Sequence, residues 1–195
     1  CRGAGQPGGR GRRPRAEAVI IKVCGATTEQ DVASAAGADL VGLWHAVPGG
    51  HANLGLSRLI GVAAAVRRDR RACLVLVTFE TDPGRLLEAV AVSGASWVQL
   101  HGYQPPGTVR ALRRTAPRGT TLMKVLHMRG EQCQEQSLVE AYQRAGTDVF
   151  LIDAVTEDGC VGSTASSLDL GAVLALADRV RLPFVLAGGL GPASG

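Results

Sequence analysis

The sequence predicts an α/β fold: a TIM (β/α)8-type barrel with seven β units present and the eighth βα unit missing. Three observations predict it. Seven short apolar runs alternate with segments of helical character, the rhythm of a parallel sheet with helical crossovers. Residues 19–195 divide into units of about 25 residues, the pace of a β/α barrel. Ala, Val, Leu and Gly dominate and only 4% of residues are aromatic, as in sheets buried on both faces. A doubly wound open sheet is the alternative, but the first turn carries Cys-Gly and no G-x-G-x-x-G.

Residues 1–16 hold five arginines, no acid and almost nothing to bury, so a disordered, solvated leader is expected. The net charge of the chain is +4; without those arginines it is −1. The basic character therefore belongs to the leader, and no nucleic-acid partner is expected for the domain. Residues 17–195 read as a single, incomplete barrel domain, and the 46% hydrophobic content of the whole chain is rich enough for a substantial core.

The first strand, 19–24, is a β-branched run that ends in Cys24-Gly25. Lys22 and Cys24 share parity and leave the same face. Thr27 or Thr28 can cap the helix expected near 28–36, which Gly37 ends. Strand 39–44 precedes a helix near 56–67, and strand 73–78 one near 83–92 that ends around Gly94. Strand 97–101 precedes a helix near 106–115. Strand 121–127 precedes a helix near 135–145, ended by Gly146. Strand 148–153 precedes a helix near 168–179, and strand 184–187 runs into Gly188-Gly189. Seven strands leave two unpaired sheet edges, an aggregation hazard, and the expectation is that the sequence is a fragment of a longer barrel.

The five cysteines, at 1, 24, 73, 133 and 160, are odd in number and irregular in spacing, which suggests reduced thiols. No apolar run reaches the roughly 18 residues of a membrane span, and the leader has no secretory h-region. A cytoplasmic protein with no membrane partner is expected.

All four histidines, His45, His51, His101 and His127, fall at or just beyond strand carboxyl ends, as do Cys24 and Asp153. In a barrel that is the catalytic rim. A thiol and a carboxyl across the barrel mouth suit general acid–base work. A metal site from the histidines with Asp153 is the competing chemistry. The histidines lie on three strands and one loop, without the tight spacing of metal ligands, so no metal is expected. Cys24 becomes reactive only as a thiolate, near positive charge or amide dipoles. Bare N–H groups at Gly188 and Gly189 can hold a phosphate.

Five segments, in order, resemble the phosphoribosylanthranilate isomerases of tryptophan biosynthesis. Lys-Val-Cys-Gly at 22–25 is similar to the family's K-I-C-G. Gly37-Ala38-Asp39 with Val41-Gly42-Leu43 resembles its G-A-D-x-x-G-F. Val98-Gln99-Leu100-His101-Gly102 matches V-Q-L-H-G, the most specific of the five. Phe150-Leu151-Ile152-Asp153 resembles L-L-D-[ST], and Leu186-Ala187-Gly188-Gly189-Leu190 resembles L-[AS]-G-G-L.

The resemblance implies an Amadori rearrangement of an aminoaldose phosphate to a 1-amino-1-deoxyketose phosphate. It implies Cys24 as general base and Asp153 as general acid, with no metal or organic cofactor. Lys22, His51, Gln99, His101 and His127 are the candidate substrate-binding residues, and Gly188 and Gly189 the candidate phosphate-binding ones. The partner implied is a small phosphorylated aminosugar; the oligomeric state is left open.

The sequence also departs from the family. The loop Pro48-Gly49-Gly50-His51-Ala52-Asn53-Leu54-Gly55 lacks the family's arginine and offers His51 in its place. Residues 162–170 replace two glycines and two aromatics of G-G-T-G-x-x-F-D-W, and Ala154 replaces the hydroxyl after the acid. Other functions stay open: a diverged paralogue acting on a different aminosugar phosphate, an inactive barrel remnant or binding module, and a different lyase or isomerase on the same scaffold.

Overall fold

The computed structural model describes residues 19–155 and 168–188. The expected leader, 1–16, lies outside them, as do Gly189 and most of the 162–170 segment.

The chain runs β1 (Lys22–Cys24), α1 (Glu29–Ser34), β2 (Leu40–Trp44), α2 (Leu56–Arg68), β3 (Cys73–Thr78), α3 (Pro83–Ser93), β4 (Trp97–Leu100), α4 (Pro106–Thr115) and β5 (Thr121–Arg129). There follow a two-residue stub β6 (Gln132–Cys133), a 3-10 turn (Gln136–Leu138), α5 (Val139–Ala145), β7 (Val149–Ala154), α6 (Leu170–Ala177) and β8 (Phe184–Leu186). The sheet order is β1-β2-β3-β4-β5-β7-β8, every neighbour parallel; β6 alone is antiparallel, folded back on β5. Seven parallel strands with intervening helices form the expected incomplete barrel, and among the described residues β1 and β8 each have one strand neighbour.

Local chemistry explains the element ends. Thr28 caps α1, its hydroxyl accepting from the Asp31 N–H while the Asp31 carboxylate accepts from the Thr28 N–H. The Asp31 carboxylate also accepts from the Thr27 N–H at 2.8 Å, and these bonds, that one first, hold it below its ordinary value. Pro83 and Pro106 open α3 and α4, where a missing N–H costs nothing. Gly94 and Gly146 close α3 and α5 in the left-handed conformation.

Two elements differ from expectation. β1 is short, because Ile21 is engaged by Asp39: its N–H donates to the Asp39 carboxylate, and its carbonyl accepts from the Asp39 and Leu40 N–H groups. β5 runs on to Arg129 and turns into β6, so the helix expected from 135 begins at 139 after the 3-10 turn.

Strand alternation sorts the side chains. Val41, Leu43, Leu76, Val98, Leu100, Leu122, Leu126, Phe150 and Ile152 pack outward with helix residues such as Leu59, Leu86, Leu112 and Tyr142. The inner face carries Leu40, Val75 and Val77 with Trp97, then Met123, Val125 and Leu151 with Val185 and Ala187. Cys73, at the amino end of β3, is disulfide-bonded, while Cys24 and Cys133 are free. The expectation of reduced thiols is therefore corrected at Cys73; spacing along the chain does not encode which sulfurs meet in space.

Candidate active site

The next inner-face layer, towards the strand carboxyl ends, is polar. By register, Cys24 lies beside Gly42, Trp44 beside Val77, Val77 beside Gln99, and His127 beside Asp153. Cys24, Gln99, His127 and Asp153 thus share the inner face, and His101 follows Gln99 at the same parity just past β4.

Around Cys24 the contacts are specific. The Trp44 indole N–H donates to the Cys24 sulfur at 3.1 Å. A Cβ on Gly42 would stand 2.7 Å from that sulfur, so any larger residue there displaces the thiol from its present position. The loop after β2 secures Trp44. Its carbonyl accepts from the Leu54 N–H at 2.8 Å, and Asn53 Oδ1 accepts from the Val47 N–H at 3.0 Å. Ala46 turns the chain with φ +55°, and a Cβ on Gly50 would press on Val47 and the Trp44 ring. His51, exposed at the loop tip, meets Trp44 edge-on at 5.0 Å between ring centroids.

The acid end is a tight cluster. His101 Nε2 lies 3.4 Å from Asp153 Oδ2, both side chains about nine-tenths buried. The Gln99 side-chain amide meets His101 Nδ1 at 2.7 Å. Burial pulls the His101 pKa below its ordinary value, the neighbouring Asp153 opposing and the charges of His127 and Lys22 adding to the fall. Lys22 thus contributes its charge to the same interior. Phe79 stacks on His101 at 5.4 Å, and Tyr103 lies over His127 at 4.6 Å.

Behind His127 stands a buried charged set that periodicity did not reveal. Glu135 accepts from the His127 backbone N–H (2.9 Å) and pairs with His127 Nδ1 (2.6 Å). Lys124 Nζ lies 3.7 Å from the same carboxylate and donates to the carbonyls of Gly102 (2.9 Å) and Val125 (2.5 Å). Lys124 is 1% and Glu135 3% exposed. Burial alone would push the Glu135 carboxyl up; the His127 hydrogen bond and the charges of Lys124 and His127 outweigh it and hold it below its ordinary value. Burial also brings the Lys124 ammonium down to about 8, against the pull of Glu135.

That shift has a stability consequence. Between pH 8 and 10.5 the folded chain releases the Lys124 proton while the unfolded chain keeps it, so this residue's contribution rises with pH there. The stability difference between wild type and Lys124→Met is expected to move in favour of wild type by about 2 kcal/mol from pH 7.5 to 9.5, read by urea unfolding. Cys133, raised to about 11 chiefly by burial, acts in the opposite sense and is itself lowered by the Lys124 charge, so the comparison is made with Cys133→Ala in both proteins.

Every described candidate has a definite place. Gln99, His101, His127 and Asp153 come together, Cys24 sits with Trp44 and, through it, His51, and Lys22 lies one layer below Cys24. Gly188 follows β8 with φ +96°, in the left-handed region that favours glycine. Trp44, Gly42, Tyr103, Lys124 and Glu135 are the contributors outside the sequence-derived set. The isolated lysine in the apolar run 121–128 and the glycine inside β2 were the available signals. Among the described residues no cluster of three or more His, Cys, Asp or Glu side chains is arranged to hold a metal.

Fold and rim together define a class: a β/α barrel whose polar inner layer at the strand carboxyl ends carries groups able to move protons. Residues 21–194 match the family model described as N-(5'phosphoribosyl)anthranilate (PRA) isomerase, and the chain belongs to that family. The N-(5'-phosphoribosyl)anthranilate isomerase of Halobacterium salinarum is 34% identical over 182 residues, covering 89% of this chain and 77% of the relative. That of Methanocella arvoryzae is 30% identical, covering 88% and 78%. The crystal structure of phosphoribosyl anthranilate isomerase from Thermus thermophilus superposes with a TM-score of 0.71 at 21% identity, over 90% of this chain and 80% of that one. A phosphoribosyl anthranilate isomerase in complex with reduced 1-(o-carboxyphenylamino)-1-deoxyribulose 5-phosphate gives 0.67 at 24%, over 91% and 79%.

Proposed function

We propose that the chain isomerises N-(5'-phosphoribosyl)anthranilate to 1-(o-carboxyphenylamino)-1-deoxyribulose 5-phosphate, with Asp153 as general acid and Cys24 as general base. Asp153 gives a proton to the ribose ring oxygen, the C1'–O4' bond opens, and the anthranilate nitrogen becomes an iminium. The Cys24 thiolate then takes the C2' proton, and the resulting enolamine ketonises to the product. The iminium supplies the electron sink, so the step calls for no metal or cofactor. The observation that carries the reading is the shared inner face of Cys24 and Asp153, each at a strand's carboxyl end, in a chain of this family.

Around that pair, Lys22, Gln99, His101 and His127 bind substrate, and the backbone at Gly188 and Gly189 takes the phosphate. The site of action proposed is the cytoplasm, in keeping with a biosynthetic family; among the described residues no helix is long and apolar enough to cross a membrane. The test is the fluorescence of N-(5'-phosphoribosyl)anthranilate, which is expected to decay with the purified chain and to persist with Cys24→Ala. Decay that is indifferent to Cys24 would overturn the assignment.

The loop 48–55, without arginine, favours one variant of this reading: a relaxed requirement for the substrate carboxylate, met by His51. An aminoaldose phosphate lacking that carboxylate is expected to keep kcat/KM within about tenfold of the anthranilate substrate, a margin equal to one modest hydrogen bond.

A further inference from the structure

Two buried histidine nitrogens in the acid cluster make no hydrogen bond of good geometry: Nε2 of His127, and Nε2 of His101, which has the Asp153 carboxyl beside it at 3.4 Å. The rings are 5.7 Å apart and both stand beside Asp153, His101 by contact and His127 by register. The other nitrogen of each ring is engaged, and by opposite chemistry. The Gln99 amide nitrogen meets His101 Nδ1 at 2.7 Å and the Asp153 carboxyl stands 3.4 Å from Nε2, an arrangement that suits an accepting Nδ1 and a ring proton on Nε2. Glu135 presents a carboxylate to His127 Nδ1, so the proton of the neutral ring sits there, and it is in that neutral form that Nε2 offers a lone pair. The Glu135 carboxylate is in turn fixed by the His127 backbone N–H and by Lys124.

We propose that Gln99 and Glu135 are positioning residues that set opposite tautomers in His101 and His127, building a donor–acceptor pair beside Asp153 that reads a sugar hydroxyl. A hydroxyl is the group that donates and accepts at once; an ether satisfies only the donor nitrogen, and a deoxy carbon neither. A site with two buried nitrogens left open discriminates against ligands that cannot fill them. Tyr103 lies across the His127 ring and is itself 53% exposed, so a hydroxyl reaches Nε2 when that side chain turns aside. The identity of the hydroxyl-bearing ligand as the ribose of an aminosugar phosphate rests on the proposed function; the tautomers do not.

The experiment has two readouts. In the ligand-free full chain with ¹⁵N-labelled histidine, His101 is expected to carry its proton on Nε2 and His127 on Nδ1, the four histidines being assigned by substitution. Glu135→Gln is expected to turn the His127 tautomer, because an amide donates where the carboxylate accepted. It raises KM for N-(5'-phosphoribosyl)anthranilate about tenfold with kcat within about threefold, the loss of one hydrogen bond to bound substrate. Should that variant not fold, His127→Leu is expected to raise that KM about tenfold with the His101 tautomer unchanged, and His127→Gln to raise it less than His127→Leu does.

A His127 proton on Nε2, a His101 proton on Nδ1, or a wild-type KM in His127→Leu each overturns the proposal. The last of these, with Cys24-dependent turnover intact, leaves the proposed reaction standing. Wild-type chain that neither turns over the substrate nor binds reduced 1-(o-carboxyphenylamino)-1-deoxyribulose 5-phosphate overturns that reaction and the hydroxyl assignment together, and the tautomers then show whether the donor–acceptor pair itself exists.

Discussion

Asp153→Asn is expected to lower kcat for the rearrangement by about 10²- to 10⁴-fold, the usual worth of a positioned general acid. The substitution is nearly isosteric. An amide oxygen still faces His101 Nε2, which stands 3.4 Å from the native carboxylate, so the cluster keeps its packing. What the amide cannot do is give a proton to the ribose ring oxygen. KM is therefore expected to change much less than kcat, and the unfolding midpoint to stay close to wild type. Stopped-flow loss of substrate fluorescence, with urea unfolding as control, reads both. A kcat within tenfold of wild type would remove Asp153 from the role of acid.

Gly42→Ala is expected to lower kcat/KM by about 10²-fold without touching a reacting group. The new methyl would lie 2.7 Å from the Cys24 sulfur, 3.3 Å from Val77 Cγ2 and 3.4 Å from the Cys24 Cα. Neither Val77, buried in the inner layer, nor backbone in a paired strand has room to give, so the sulfur moves. A shift of about 1 Å at a reacting atom carries a penalty of that size. Overpacking adds about 1–3 kcal/mol of lost stability. Gly61→Ala in α2, where nothing lies within 4 Å of the added carbon, is the matched control and is expected to be neutral or stabilising. Equal activity in the two variants would show that the thiol does not need its present position.

These predictions rest on features that were unequally legible in the sequence. The parallel order, the helix starts at Pro83 and Pro106, the left-handed stops at Gly94 and Gly146 and the inward parity of Lys22 and Cys24 follow from local chemistry. They agree with the structure because nothing distant overrides them. The family resemblance, carried by five short motifs, agrees with the match over residues 21–194. Glu135 was read only as the start of a helix. Its carboxylate instead turns back eight residues to His127, over a hairpin that no periodicity announces, and helix α5 starts later in consequence. Lys124 carries outward parity and yet serves the rim, because its long stem reaches the carbonyl of Gly102 past β4. Such contacts depend on which loops fold over which strand ends, a property of the assembled barrel and not of any window of sequence.

The indole that donates to Cys24 gives the molecule a built-in optical reporter. The chain has two tryptophans: Trp97, in the apolar inner layer, and Trp44, whose ring nitrogen touches the sulfur. Sulfur in contact with an excited indole quenches its emission. Replacing Cys24 by alanine is therefore expected to brighten Trp44 alone, so that contact with the proposed base can be followed by light with no label attached.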